Sequence, residues 1–96
     1  MSDRQAYEQK LQAQLAQWRA QIDKLKAKAD LANAEAKIEF NRQMAELQAS
    51  QARAAARLDE LRAASSAARE ELSRGVEQAF HEVGESVKAA AAKFKQ

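Results

Sequence analysis

Apolar side chains recur every three or four residues along the first third of this chain. The spacing alternates between four and three through Leu11, Leu15, Trp18, Ile22, Leu25, Ala29, Ala32 and Ala36. This alternation is the heptad pattern of helices that pack along one stripe. From Ala32 to Met44 the spacing is four throughout, which adds one residue to the pattern and predicts a straightened or reversed supercoil there.

The heptad pattern then resumes and reaches Leu72. Its members are Met44, Leu47, Gln51, Ala54, Leu58, Leu61, Ser65, Ala68 and Leu72. Leucine layers bury far more area than alanine or serine layers, so the large residues should dominate the packing energy. We expect an oligomer interface at Leu11, Leu15, Trp18, Ile22, Leu25, Phe40, Met44, Leu47, Leu58, Leu61 and Leu72. Gln51 inside the stripe is expected to fix the register or to be tolerated at modest cost.

The residues that usually end a helix are missing from most of the chain. There is no proline, and the first glycine is Gly75. The sequence therefore predicts one continuous helix over residues 3–74, roughly 108 Å long. A candidate bend lies at residues 63–66, where Ser66 could cap a new helix that has Glu70 and Glu71 in its opening turns.

The segment after Gly75 has a different character. Residues 75–95 form a shorter amphipathic helix whose expected contact residues are Val76, Phe80, Val83, Val87 and Phe94. Packing back on the long helix is favoured for this tail, since soluble proteins rarely leave such a stripe exposed. A membrane surface or a partner is the alternative. The predicted fold class is thus all-α, a long continuous coiled-coil helix followed by a shorter amphipathic C-terminal helix.

Composition agrees with a helical rod more than with a compact globule. Only 5% of the 96 residues are aromatic, and 31% are charged. The formal net charge is +2, with the two signs interleaved, so no nucleic-acid partner is expected. A basic run at Lys24, Lys26 and Lys28 is spread round the helix and flanked by Asp23 and Asp30, which is typical of a solvated exterior.

Nothing in the sequence predicts secretion, membrane insertion or disulfide chemistry. The first ten residues lack the apolar core of a signal peptide, and no window holds the ~20 apolar residues that span a bilayer. Cysteine is absent from the chain. We therefore expect a cytoplasmic protein.

Catalytic chemistry is equally weak in the sequence. The single histidine, His81, lies four residues from Glu77 and from Glu85, but two ligands make a poor metal site. Ser65 and Ser66 have no activating base nearby in sequence. No glycine-rich phosphate loop is present. The expectation is a protein that is not an enzyme and uses no metal or other cofactor.

Three segments resemble a family of small bacterial coiled-coil proteins associated with stress response and also noted in cyanobacteria. They are LQAQLAQWRAQIDKLKAKAD at 11–30, AKIEF at 36–40 and AKFK at 92–95. The resemblance extends over nearly the whole chain, and Trp18 with IDKLKAKAD is its most specific part. Ser66, Arg69 and Phe80 depart from the glycine and two tryptophans common in the family. The resemblance implies a stress-related role and no catalytic residue.

Three functions remain open from the sequence. The leading hypothesis is a self-associating helical protein of two to four chains that acts through helix–helix interaction. The second is a membrane-surface protein that uses residues 76–96, with lysines at the rim of its apolar face. The third is an adaptor whose apolar stripe binds a helix of another protein.

Overall fold

The computed structural model describes residues 3–94, which form three α-helices: α1 (Asp3–Asp30), α2 (Ala34–Ala63) and α3 (Ser66–Phe94). Their short connections, residues 31–33 and 64–65, make consecutive helices antiparallel, so α1 and α3 run in the same direction. The molecule measures 51 × 22 × 17 Å. The all-α prediction is confirmed, but the continuous helix over 3–74 is wrong, because the described chain folds into three helices rather than two.

The first break is fixed by Asn33. Its backbone is extended, with φ −68° and ψ 169°, and its side-chain oxygen accepts a hydrogen bond from the backbone N–H of Ala36 at 2.9 Å. Such an N-cap satisfies one of the donors that a helix start leaves free. The predicted stripe passes through Ala32 and Ala36, whose small side chains bury little apolar area and so give a continuous helix little support here. The extra residue in the heptad pattern marks this turn and not a change of supercoil.

The second break falls at Ala64 and Ser65, within the candidate bend at 63–66. The backbone N–H of Ala64 donates to the carbonyl oxygen of Leu61 at 3.2 Å. Two arginines supply further donors here: Arg69 to the oxygen of Leu61 and Arg4 to the oxygen of Ala64, both at 3.0 Å. These bonds satisfy the carbonyl of Leu61 in the last turn of α2 and that of Ala64 just beyond the helix. Ser66, expected as the cap of the next helix, is instead its first residue.

The boundary predicted at Gly75 does not exist. Helix α3 passes through Gly75 and Gly84, and neither has a positive φ. A glycine inside a helix costs about 1 kcal/mol relative to alanine, which is less than the packing of one buried leucine or phenylalanine contributes. The predicted end of the tail helix at residue 95 lies outside the described residues.

One hydrophobic core runs the length of the three helices. Its fully buried large side chains are Leu47, Leu58, Leu61, Val76 and Val83. In each helix most successive buried positions are three or four residues apart, so the heptad pattern is satisfied within one chain. Two polar residues, Ser50 and Gln51, are buried beside this core. The amide nitrogen of Gln51 donates to the carbonyl oxygen of Leu15 at 3.0 Å, while its buried amide oxygen has no partner among the described residues.

Candidate functional site

The residues assigned from the sequence to an oligomer interface lie within the chain's own core. Six are buried: Ile22, Leu25, Met44, Leu47, Leu58 and Leu61. Five are partly buried and pack against them: Leu11, Leu15, Trp18, Phe40 and Leu72. One chain thus covers the stripe that motivated an oligomer, and the oligomer itself stays a prediction.

The expected contact residues of the tail are all in this core. The set comprises Val76, Phe80, Val83, Val87 and Phe94, and each is less than one-tenth exposed. Two ring contacts show what they meet: Phe80 lies against Trp18 of α1, and Phe94 lies against Phe40 of α2. The expectations for the tail were packing back on the long helix or contact with a membrane surface or a partner. In the structure the tail packs back on the preceding helices.

An open surface with an apolar floor lies between α1 and α3, which pack less closely on each other than either packs on α2. Two depressions follow one another along this α1–α3 groove. The first holds about 320 Å³ and is lined by Lys10, Leu11, Gln14, Trp18, Glu77, Phe80 and His81. The second holds about 230 Å³ and is lined by Gln21, Lys24, Leu25, Lys28, Val87 and Ala91. The groove is therefore apolar along its floor and polar along its rims.

Trp18 is the largest side chain of the groove. Its ring lies 5.4 Å from the ring of Phe80, centroid to centroid, with the planes tilted by 54°. A Cβ placed on Gly84 would meet the Trp18 ring at 3.5 Å, so the indole lies over a stretch of α3 that has no side chain. Trp18 nonetheless stays half-buried. It presents an aromatic surface to whatever enters the groove, and aromatic residues are enriched where helices and other partners bind.

Charges differ between the two depressions. The first has Lys10, Glu77 and His81 at its rim, and the second has Lys24 and Lys28 with no acidic residue. Neither Lys24 nor Lys28 has an ion-pair partner in the part of the chain that the structure describes. The second depression therefore combines an apolar floor with uncompensated positive charge.

Glu8 anchors the start of α1 to the turn between α2 and α3. Its carboxylate lies 3.1 Å from Arg69, 3.4 Å from Arg4 and 3.8 Å from Arg62. Only 16% of the Glu8 side chain is exposed, so these interactions are partly desolvated. Nearby, burial raises the pKa of the Tyr7 hydroxyl, and the negative charge of Glu77 adds to that rise. These contacts hold the N-terminal part of α1 in place and thereby position the first depression.

The opposite end of the bundle is closed by an aromatic pair and an ion pair. The rings of Phe40 and Phe94 lie 4.1 Å apart. Lys93 donates to the carboxylate of Glu39 at 2.8 Å, and Arg42 donates to the same carboxylate. Hydrogen bonds from Lys93 and Arg42 lower the pKa of Glu39, and its charge in turn raises the pKa of Arg42. These contacts tie the end of α3 to the start of α2.

Of the residues considered for chemistry, His81 lines the first depression with Glu77, away from Ser65 and Ser66 at the connection between α2 and α3. His81 is exposed, and residues 3–94 contain no cluster of three or more histidines, cysteines or carboxylates that could hold a metal ion. Ser65 lies in the exposed second turn, and Ser66 opens α3. Lys26 lies away from the α1–α3 groove, whereas its neighbours Lys24 and Lys28 line it. Of the basic run, two members are thus brought together at one surface.

Two exposed apolar side chains lie outside the groove. Leu31, in the connection between α1 and α2, is 88% exposed, and Ile38 near the start of α2 is 77% exposed. Isolated apolar residues are common on protein surfaces. The α1–α3 groove is the larger surface and has the more specific composition.

Comparisons with family models, with curated proteins and with solved structures each gave no match to this chain. Among the helices of residues 3–94, none has the length and apolarity that crossing a membrane requires. Inference about function therefore starts from the surface of the bundle.

The sequence identified Leu11, Trp18 and Phe80 but not the groove that they line. Lys10, Gln14 and Ala91 were not expected to belong to any site. Their juxtaposition depends on the two turns, since α1 and α3 meet only after the chain has reversed twice. The one signal in the sequence was Asn33, a preferred N-cap residue that begins the first reversal.

Proposed function

We propose that this protein is a non-enzymatic helical adaptor whose α1–α3 groove binds one amphipathic helix of another protein. The observation that carries the proposal is the half-buried Trp18 on the apolar floor between two parallel helices. A fourth helix laid in such a groove would complete a four-helix bundle, with its apolar face on Leu11, Trp18 and Leu25.

The dimensions of the groove fit this occupant. From Lys10 to Lys28 the groove follows α1 for about 27 Å, which equals five turns of helix. Its rims carry lysine and glutamine side chains that can contact the polar flanks of a bound helix. Catalysis is not part of the proposal, because His81 lines the groove whereas Ser65 and Ser66 lie at the connection between α2 and α3.

A peptide titration tests the adaptor proposal. The probe is a synthetic peptide of about 18 residues with a leucine stripe at heptad spacing and glutamine elsewhere. We expect its helicity to rise on mixing and the emission of Trp18, the only tryptophan, to shift to shorter wavelength. Leu11→Ser should weaken binding, whereas the matched control Leu31→Ser, outside the groove, should leave it unchanged. Equal binding by both variants would place the peptide elsewhere on the bundle.

Self-association of two to four chains is a second candidate, favoured by the exposure of Leu31 and Ile38. A second copy could place these side chains against its own. Sedimentation equilibrium of the parent and of Leu31→Ser/Ile38→Ser tests this candidate. An assembly in the parent that the double variant lacks would support it, and a monomer in both would exclude it.

Two further parts of the proposal concern setting. A stress-related role rests on the family resemblance, and growth of a deletion strain under heat, oxidant and osmotic stress tests it. A membrane-surface role for α3 would require Phe80 and Val83 to leave the core. Flotation of the intact chain with lipid vesicles tests that alternative.

A further inference from the structure

The two ends of the α1–α3 groove are electrostatically distinct. Near the N-terminal parts of both helices, Lys10 lies at the same depression as Glu77, so positive and negative charge balance there. Near their C-terminal parts, Lys24 and Lys28 stand beside Leu25, Val87 and Ala91 without an acidic neighbour in the lining. A ligand that follows the groove therefore meets net positive charge at one end only.

The acidic residues next to these lysines in sequence do not neutralise this surface. Asp23 lines a depression between α1 and α2, together with Arg19 and Gln51, and so lies on another side of α1. Asp30 is exposed at the end of α1 and is absent from the lining of the groove. Lys24 and Lys28 are thus free to pair with carboxylates of a bound partner.

The direction of α1 and α3 adds a second preference. Both helices present their C-terminal ends, which carry partial negative charge, at the end of the groove where Lys24 and Lys28 lie. A bound helix that runs antiparallel to them places its positive N-terminal end there. Acidic residues stabilise the first turns of a helix. The same carboxylates would therefore suit both their own helix and the two lysines.

We propose that the partner is an acidic amphipathic helix that runs antiparallel to α1 and α3, with the carboxylates of its N-terminal half against Lys24 and Lys28. This inference rests on the proposed function, because it concerns the same groove. It specifies which chemical class of helix the groove selects and in which direction that helix lies.

Two isomeric peptides separate the charge inference from the adaptor proposal. Both have about 18 residues, the same leucine stripe and the same number of glutamates, placed on the flanks of the first half in one and of the second half in the other. They are titrated into the full chain with Trp18 emission as the signal. We expect the peptide with N-terminal glutamates to bind at least about 5-fold more tightly at low salt, and the difference to shrink in ~0.5 M salt.

A matched pair of charge reversals locates the effect. Lys24→Glu should abolish the preference for the peptide with N-terminal glutamates. Lys26→Glu makes the same change of net charge two residues away, outside the groove lining, and should preserve the preference. Both positions are exposed and lie inside α1, so both variants should fold. Circular dichroism of each variant checks this.

The outcomes are distinguishable. Equal, salt-independent binding of both peptides would overturn the charge inference and leave the adaptor proposal standing, and a reversed preference would overturn the direction. If neither isomeric peptide binds, and the leucine-stripe peptide with glutamine elsewhere does not bind either, both proposals are overturned. A stronger response of Trp18 to vesicles of phosphatidylcholine and phosphatidylserine than to any peptide would identify the groove as a lipid surface and overturn the helix partner.

Discussion

Helix α3 and the first half of α1 carry similar amphipathic patterns but are buried to very different extents. Val76, Val83 and Ala90 of α3 are completely buried. On the apolar stripe of α1, Leu11 and Leu15 are only partly buried. The difference arises because α3 fills the space against both other helices, whereas the start of α1 borders the open groove. Similar stripes thus make a core in one helix and an accessible surface in the other.

The largest expected effect compares the same substitution in the two regions. Leu47→Ala removes a completely buried side chain of α2 that faces the shared core, and it should cost about 2–5 kcal/mol of unfolding free energy. Leu11→Ala should cost less than Leu47→Ala, about 1–2 kcal/mol, since its side chain is only partly buried. Urea unfolding followed by circular dichroism measures both values. Similar losses would contradict the assigned difference in burial.

Polar contacts at the end of the bundle offset the weaker packing of α1. Glu8→Gln removes the negative charge that contacts three arginines, and it should cost about 1–2 kcal/mol of unfolding free energy. Solvent screening of the more exposed arginines keeps this loss small. The matched control is Glu70→Gln, which disrupts an exposed pair with Arg74 and should change stability by less than about 0.5 kcal/mol. Thermal unfolding of both variants tests this ranking. A larger loss for Glu70→Gln would show that Glu8 does not anchor α1.

Replacing the glycines of α3 by alanine should raise the stability of the fold, and this tests the packing of α3 in the opposite direction. Gly75→Ala would bring its new Cβ within 3.9 Å of the Arg57 side chain, an ordinary contact. Because Gly75 is in a regular helix, alanine should raise stability by about 0.5–1 kcal/mol. Gly84→Ala should stabilise by a similar amount and also fill the space below Trp18, so the tryptophan emission should change only in that variant. A loss of stability at Gly75 would contradict a helix that is continuous through it.

Much of the local structure was predictable from the sequence, and the tertiary arrangement was not. The heptad positions of Leu47, Leu58 and Leu61 identified core residues correctly, because helical periodicity is local information. The partner of each stripe depends on the turns. An alanine-rich stripe through Ala32 obscured the N-cap at Asn33. The absence of proline, and of glycine before Gly75, favoured a single continuous helix. The groove followed neither from spacing nor from composition, since it exists only between helices that the turns bring together.

The smallest expected effect concerns pH at the closed end of the bundle. Hydrogen bonds from Lys93 and Arg42 lower the pKa of Glu39 in the folded chain. A carboxyl group with a lowered folded pKa stabilises the fold above its ordinary pKa, and this contribution is lost as the pH falls through the lowered value. Glu39→Gln should therefore reduce the acid dependence of the melting temperature slightly, with Glu35→Gln, exposed in the first turn of α2, as control. An identical acid dependence in parent and Glu39→Gln would exclude a role for this carboxylate.

Helices α1 and α3 of one chain lie side by side, and a single distance between them tests this arrangement. Lys28 and Ala91 line the same depression, and the chain has no native cysteine that would interfere with labelling. Spin labels on Lys28→Cys and Ala91→Cys, measured by pulsed electron resonance with excess unlabelled chain, should give one short distance that persists on dilution. In a single continuous rod the two positions would be about 95 Å apart. A distance near that value, or a short distance lost on dilution, would contradict the bundle and its groove.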